Sequence, residues 1–182
     1  ESARLRGWDY AAAGWYFVTI CTQNRECFFG EVAAGEMRLS PIGEIAGQYW
    51  KDISRHSSKN IGLDVFVIMQ NHVNGIVVIE GKNVAHGCRD VACNVSTTTT
   101  TTNKPMSSIS PKSGSLSVVV RSYKSAVTRW CHIHHYPFFD WQPRFFDHVI
   151  RDETSLNNIR QYIAKNPVKW EKDRNNPANL WM

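Results

Sequence analysis

The most regular hydrophobic pattern in the chain lies in residues 65–79, where two apolar, β-branched runs flank a short polar stretch. This pattern predicts two antiparallel strands joined by a tight turn at Gln70 and Asn71. Side chains alternate along a strand, so His72 and Asn74 lie on one face and Val73 on the other. Polar groups on a buried strand need hydrogen-bond partners or a ligand.

The first half of the chain predicts a further strand, a small hairpin and a helix. Residues 15–22 are aromatic and β-branched, which is typical of a strand. Residues 27–30 are extended, and residues 36–39 can pair locally after a glycine turn. Ser40 and Pro41 then indicate a helix start, as N-cap and first helical residue. The helix that follows has one apolar stripe, which predicts that it packs on the core.

Two more helices and a short strand follow. A helical apolar face predicts a helix over residues 115–133. Residues 140–150 predict a turn and then a strand. The last helix is expected over residues 152–165, capped by Asp152 or Thr154. Pro167 should end it and force Asn166 out of helical geometry.

These elements contain hairpins but no regular βαβ repeat. They predict an α+β sandwich in which helices pack on one face of an antiparallel sheet. With 182 residues, the chain is predicted to form one domain over residues 1–182. Residues 81–114 include a threonine run and little apolar content, and they are expected to form a flexible loop.

Charge and cysteine content narrow the functional classes. The net charge is +5, and the basic excess falls mainly after residue 120, which is compatible with a polyanionic partner. The five cysteines form no CxxC pair, which favours a reducing compartment over a disulfide framework or zinc knuckle. No signal peptide or membrane span is evident, so a cytoplasmic protein without membrane association is expected.

Tyr162 and Asn166 lie four residues apart, on one side of the last predicted helix. A phenol is a weak nucleophile unless its target is polarised, as a divalent cation polarises a phosphodiester. His72, Asn74 and the side-chain oxygen of Asn166 can form an open three-ligand metal site. The predicted chemistry is transesterification of a phosphodiester, without a nucleotide cofactor. Taken one by one, these residues favour the structural interpretations: a core tyrosine, a helix C-cap asparagine and a hydrogen-bonded core histidine.

Three ordered motifs carry a family resemblance. Residues 67–77 resemble the His-hydrophobic-His strand of the single-tyrosine HUH transposases. Residues 141–151 and 162–167 resemble the C-terminal motifs of the REP-associated tyrosine transposases, and residues 15–19 with Asn24-Arg25 are similar to that family too. The resemblance covers most of the chain outside residues 81–114.

The resemblance implies a function in DNA transposition. For the structure, it implies a ferredoxin-like sandwich and a homodimer in the bacterial cytoplasm, at the nucleoid. For the chemistry, it implies a Mg²⁺ or Mn²⁺ ion, a single-stranded hairpin DNA substrate and a 5′-phosphotyrosine intermediate. His72 and Asn166 are the implied first and third metal ligands, and Tyr162 is the implied nucleophile. The chain departs from the family at Asn74, which replaces the second histidine, and at Gln70, which replaces the proline of the turn. Asn74 can supply a neutral oxygen to a hard cation.

Two other functions remain open from the sequence. The loss of the second histidine allows a binder of structured single-stranded DNA that does not cut it. An RNA-recognition-like module would need exposed aromatics on the central strands, where this chain has His72 and Asn74.

A second His-hydrophobic-His run, at residues 132–134, lies at the end of a predicted helix, where its imidazoles should diverge and not share one metal ion. Trp141 and Phe145 are candidates for base stacking. The residues predicted to contact DNA phosphates are Arg121, Lys124, Arg129, Arg144, Arg151, Lys165 and Lys169.

Overall fold

A computed structural model describes residues 8–56, 61–81, 114–173 and 175–179. Most of the predicted flexible loop, residues 82–113, lies outside the described residues. The strands and helices are β1 (Gly14–Cys21), β2 (Gly30–Ala33), β3 (Glu36–Leu39), α1 (Pro41–His56), β4 (Ile61–Ile68), β5 (His72–Ile79), α2 (Leu116–Ile133), β6 (Phe146–Ile150) and α3 (Glu153–Lys165).

The main sheet has four antiparallel strands in the order β4-β5-β1-β6. With α1 and α2 as the two crossovers, this is the ferredoxin-like arrangement. The predicted α+β fold is therefore confirmed. Strands β2 and β3 form the small separate hairpin that the sequence predicts.

The predicted helix starts agree with the caps in the structure. The hydroxyl of Ser40 accepts from the backbone nitrogen of Gly43 at 3.2 Å, one turn into α1. Asp152 caps α3 by accepting from the backbone nitrogen of Ser155 at 2.8 Å. The prediction for Asn166 was wrong, because this residue keeps helical dihedral angles of −59° and −45°. Backbone bonds from Lys169 to Lys165 and Asn166 continue the turn past Pro167.

The two faces of the sheet have different coverings. On one face, Val18, Val73 and Val77 pack with α1 and α2 in the larger core. On the other face, Phe17 and Ile76 pack against Leu156 and Ile163 of α3. His72 and Asn74 share the face of Ile76, because side chains two apart on a strand point the same way. Helix α3 thus lies over the sheet face that carries the polar pair.

Gly75 makes room for the central tryptophan of the larger core. A Cβ at this position would lie 2.4 Å from Cζ2 of Trp50 and 3.0 Å from Cβ of Phe66. Trp50 is fully buried and contacts Tyr123 edge-on at 5.2 Å, so it has little space to move. We expect Gly75→Ala to lower the free energy of unfolding by about 1–3 kcal/mol through overpacking.

Urea denaturation measures this loss, and Gly47→Ala is the matched control. A Cβ at Gly47 meets only Cγ1 of Ile68, at an ordinary 3.7 Å. Because alanine is the better helix former, Gly47→Ala should be neutral or stabilising by up to ~1 kcal/mol. Equal stability changes in the two variants would contradict the role assigned to Gly75.

Candidate active site

His72 begins β5 and is fully buried. Its Nδ1 lies 2.9 Å from Oδ1 of Asn71. The amide nitrogen of Asn71 donates to the carbonyl oxygens of Arg25 and Asn175, at 2.9 and 2.8 Å. Since Oδ1 of Asn71 must then accept, Nδ1 of His72 carries the proton. Nε2 keeps its lone pair, which is the tautomer that a metal ligand requires.

Asn166 follows the last residue of α3, and its side chain is almost fully buried. Its amide nitrogen donates to Oδ2 of Asp173 at 3.0 Å. A carboxylate accepts hydrogen bonds, so Oδ1 of Asn166 must face the other way, toward Nε2 of His72 at 3.3 Å. Two acceptor atoms, Nε2 from the start of β5 and Oδ1 from the end of α3, therefore converge on one point.

Asn74 supplies the donor that these two acceptors need. Its amide nitrogen lies 3.1 Å from Nε2 of His72 and 3.2 Å from Oδ1 of Asn166. Its oxygen accepts from the hydroxyl of Thr19 at 2.7 Å, across the β1–β5 register pair. The sequence analysis expects the oxygen of Asn74 at the point of convergence, but the structure has the amide nitrogen there.

The spacing of these three positions fits a divalent cation. The amide nitrogen of Asn74 lies 3.1 Å from Nε2 of His72 and 3.2 Å from Oδ1 of Asn166, and those two atoms are 3.3 Å apart. Neighbouring ligands of an octahedral Mg²⁺ ion with bonds of ~2.1 Å are separated by about 3 Å. A half-turn of the Asn74 amide would bring its oxygen inward, and the Thr19 hydroxyl can accept as well as donate. Within the described residues, no group of three or more His, Cys, Asp or Glu side chains is placed to hold a metal ion, so any cation here would have a neutral donor set.

Tyr162 lies on α3 one turn before Asn166 and is 40% exposed. Its hydroxyl donates to Oδ2 of Asp173 at 3.4 Å, the oxygen that also holds Asn166. Its ring contacts Phe17 edge-on, with centroids 6.0 Å apart. The structure thus brings Tyr162, Asn166, His72 and Asn74 into one site within a single chain.

The segment after α3 covers the buried side of this site. The ring of Trp170 stacks on His72, with centroids 6.0 Å apart. Gln70, in the amide orientation that satisfies its neighbours, accepts from the indole nitrogen of Trp170 at 3.1 Å. Asp173 is itself buried, and its Oδ1 accepts from the backbone nitrogen of Asn175 at 2.7 Å. His72, Asn74 and Asn166 are consequently shielded from water.

The sequence analysis missed four residues of this network: Thr19, Asn71, Trp170 and Asp173. Thr19 was detectable in principle, because it is a polar residue inside an apolar strand. Recognising it required the β1–β5 register. Asp173 lies in a polar run in which nothing distinguishes it from its neighbours. Asn71 was assigned only to the turn.

Asn71 should contribute strongly to stability through its three buried hydrogen bonds. Asn71→Ala leaves two carbonyl oxygens and one imidazole N–H without their partner, so we expect a loss of about 2–4 kcal/mol in the free energy of unfolding. Chemical denaturation monitored by tryptophan fluorescence measures it. Asn157→Ala, an exposed asparagine on α3, is the control and should change stability by less than ~0.5 kcal/mol. A comparable small change for Asn71→Ala would contradict the network.

The residues predicted to contact DNA fall into separate groups. Arg121, Lys124 and Arg129 line a groove of about 990 Å³ between α2 and residues 140–145. Burial lowers the pKa of Lys124, partly offset by Asp140 and Cys21. Four cations lie outside this groove; each is exposed, and they are Arg144, Arg151, Lys165 and Lys169.

This groove opens at the same end of the sheet as the candidate site. Cys21 pairs with His72 in the register of β1 and β5, and the carbonyl oxygen of Cys21 accepts from the backbone nitrogen of Gln142 at 2.9 Å. Residues 140–145 therefore lie about one strand away from His72.

Trp141 is a core residue and does not form a surface for base stacking. Trp141 is 4% exposed, and its indole nitrogen donates to the carbonyl oxygen of Lys124 at 3.2 Å.

The second His-hydrophobic-His run, residues 132–134, lies at the end of a helix, where the sequence predicts it. His132 and His134 are exposed at the end of α2, and His134 stacks on Trp130. Burial raises the pKa of the Cys131 thiol to about 11, which disfavours the nucleophilic thiolate form.

Comparison with known proteins agrees with this architecture. The chain is 36% identical over 178 residues to an uncharacterized protein of Haemophilus influenzae, an alignment that covers 96% of this chain and 91% of that protein. The two proteins belong to one family. No protein-family profile matches the sequence.

Among solved structures, the chain is similar to a REP-associated tyrosine transposase bound to a REP hairpin. The TM-score is 0.58 at 18% identity, and the match covers 92% of this chain and 73% of that one. The chain has the fold of this transposase. No described helix is both long and apolar enough to cross a membrane.

Proposed function

We propose that this protein cuts and rejoins single-stranded DNA beside hairpins, through a covalent bond between Tyr162 and a 5′ phosphate, in DNA transposition. The observation that carries the proposal is the convergence of His72 and Asn166 on one point, with the hydroxyl of Tyr162 tied to Asn166 through Asp173. The transposase fold supports it.

A divalent cation, Mg²⁺ or Mn²⁺, would be held by His72, Asn166 and the oxygen of Asn74, and when bound it would polarise the scissile phosphate. The hydrogen bond from Nδ1 of His72 to Asn71 orients Nε2 toward the place such an ion would occupy. The hydrogen bond from the Asn166 amide nitrogen to Asp173 orients the Asn166 oxygen toward the same place. Asp173 also accepts from Tyr162 and so orients its hydroxyl.

The proposed reaction exchanges one phosphoester bond for another. The phenol oxygen of Tyr162 forms a bond to phosphorus and loses its proton to solvent. The bond from phosphorus to the 3′ oxygen breaks, and that oxygen takes up a proton. A 5′-phosphotyrosine and a free 3′ hydroxyl result, and attack by a second 3′ hydroxyl reverses the step and rejoins the strand. Because the bond energy is conserved, no nucleotide cofactor is needed.

The hairpin is proposed to lie along the groove of Arg121, Lys124 and Arg129, where these cations would contact backbone phosphates. Arg144, Arg151, Lys165 and Lys169 are exposed and would extend this contact. The solved transposase of this fold binds a REP hairpin, which supports the same substrate class here. We further propose that the protein acts as a homodimer in the bacterial cytoplasm, at the nucleoid.

A second candidate function is a protein that binds structured single-stranded DNA without cutting it. The inward amide nitrogen of Asn74 favours it, because the N–H groups already satisfy both acceptors that would bind the cation. The cover formed by Trp170 over His72 favours it as well, since a phosphate must displace this segment to reach the site.

One experiment separates the two functions. The protein is incubated with hairpin oligonucleotides that carry single-stranded extensions, with Mn²⁺ or with EDTA, and analysed on a denaturing gel. A Mn²⁺-dependent protein–DNA adduct supports the enzyme. Tight binding in a mobility-shift assay without any adduct supports the binder, and absence of both rejects the two functions together.

A further inference from the structure

A cavity of about 590 Å³ opens beside Tyr162, between α3 and the edge strand β6. Its walls include the rings of Phe17, Phe146 and Tyr162. Phe17 contacts the other two rings edge-on, at 6.4 and 6.0 Å. Phe146 and Tyr162 are 37% and 40% exposed, so each presents a large part of its ring to the cavity or to solvent. Exposed aromatic rings side by side are costly in water and typical of binding sites.

The polar lining of this cavity suits a neutral, hydrogen-bonding ligand. Ser155, Asn158 and His148 offer both donors and acceptors. Among the described residues that line it there is no lysine or arginine, whereas Asp152 contributes a carboxylate. The interior therefore offers no lysine or arginine to a phosphate, and a flat, uncharged ring with polar edges would be favoured. The volume is sufficient for one nucleotide base with room for its sugar at the mouth.

We propose that this cavity binds one unpaired base of the DNA strand that is attached to Tyr162. The inference rests on the proposed function and specifies its substrate. Tyr162 belongs to the cavity wall and also donates to Asp173, so the cavity is continuous with the candidate active site. A base seated on Phe146 places its own phosphate outside the acidic interior, near the hydroxyl of Tyr162. The stacking supplies affinity, and Ser155 and Asn158 discriminate among bases through their hydrogen bonds.

Phe146→Ala tests the stacking surface. Fluorescence anisotropy is measured with a labelled hairpin oligonucleotide that carries a single-stranded extension. Base–aromatic stacking contributes about 1–3 kcal/mol per base, so Phe146→Ala should weaken binding roughly 5- to 100-fold. The matched control is Phe138→Ala, because Phe138 is 89% exposed and lies outside this cavity. The control should change affinity by less than about 2-fold.

A scan with abasic nucleotides tests the same contact on the wild-type protein, so it does not depend on how well the variant folds. An abasic nucleotide at one position of the extension should weaken binding as much as Phe146→Ala does. That abasic oligonucleotide combined with the Phe146→Ala protein should weaken binding little more than either change alone. Equal losses for Phe146→Ala and Phe138→Ala, or fully additive losses, would overturn the base cavity while leaving the proposed function intact. Absence of any binding by the wild type would instead reject the proposed function, and the cavity with it.

Discussion

Tyr162→Phe should abolish the covalent adduct with hairpin DNA and leave hairpin affinity within about 2-fold of the wild type. The variant lacks only the oxygen that would attack phosphorus, and no other group in the site can take its place at the same position. The ring still packs edge-on against Phe17. The lost hydrogen bond to Asp173 is long, at 3.4 Å, and half-exposed, so its contribution to stability is at most about 1 kcal/mol. Denaturing gels measure the adduct, and anisotropy measures binding.

Tyr136→Phe is the matched control for this experiment. Tyr136 is 37% exposed, close to the 40% of Tyr162, but it stacks on Trp130 at the end of α2. Its hydroxyl should be dispensable for the adduct. Adduct formation by Tyr162→Phe at the wild-type level would refute the assignment of the nucleophile, even if the protein proved to be a transposase.

Asn74→His should replace the hydrogen bonds of the Asn74 amide with coordination of a divalent cation. The substitution removes the amide nitrogen that links Nε2 of His72 to Oδ1 of Asn166 and introduces a better ligand. Without metal, the variant should be less stable than the wild type, because two buried acceptors lose their donor and the larger ring must fit a fully buried position. Mn²⁺ affinity should rise roughly 10- to 100-fold.

Thermal unfolding with and without Mn²⁺ measures this change independently of catalysis. Mn²⁺ should raise the Tm of Asn74→His more than that of the wild type, since a ligand that binds only the folded state stabilises it. Asn74→Ala is the control, because it also loses the amide but gains no ligand, and its Tm should not respond to Mn²⁺. A wild-type response equal to that of Asn74→His would show that the Asn74 amide already turns its oxygen inward.

The same two variants decide between the proposed functions. If the wild type forms the adduct, Asn74 serves as a ligand after rotation of its amide. If the adduct forms only with Asn74→His, this chain is the binder and the second histidine is what cleavage requires. Asn74 is visible in the sequence as a departure from the family motif, but which atom of its amide faces His72 depends on partners distant in sequence.

Local patterns were enough to predict most of the fold. The cap residues Ser40 and Asp152 place the starts of α1 and α3 correctly, because capping depends on residues within one turn. Period-two alternation likewise predicts that His72 and Asn74 share a face. The same local reasoning failed at Asn166, where the proline rule favoured a non-helical residue. There, side-chain hydrogen bonds to Asn74 and Asp173 and the continuing turn hold the helical geometry.

By itself, the sequence determined the order of the helices and strands, which follows from periodicity and caps. Motif spacing in the sequence also selected the candidate site residues His72, Asn74, Tyr162 and Asn166. Only the tertiary structure decided that α3 lies over the polar face of the sheet, that Nε2 of His72 keeps its lone pair and that Asn74 presents a nitrogen. The physical reason is that an imidazole tautomer or an amide orientation is set by its partners. Those partners lie far away in sequence, with Thr19 55 residues from Asn74 and Asn166 92 residues from it.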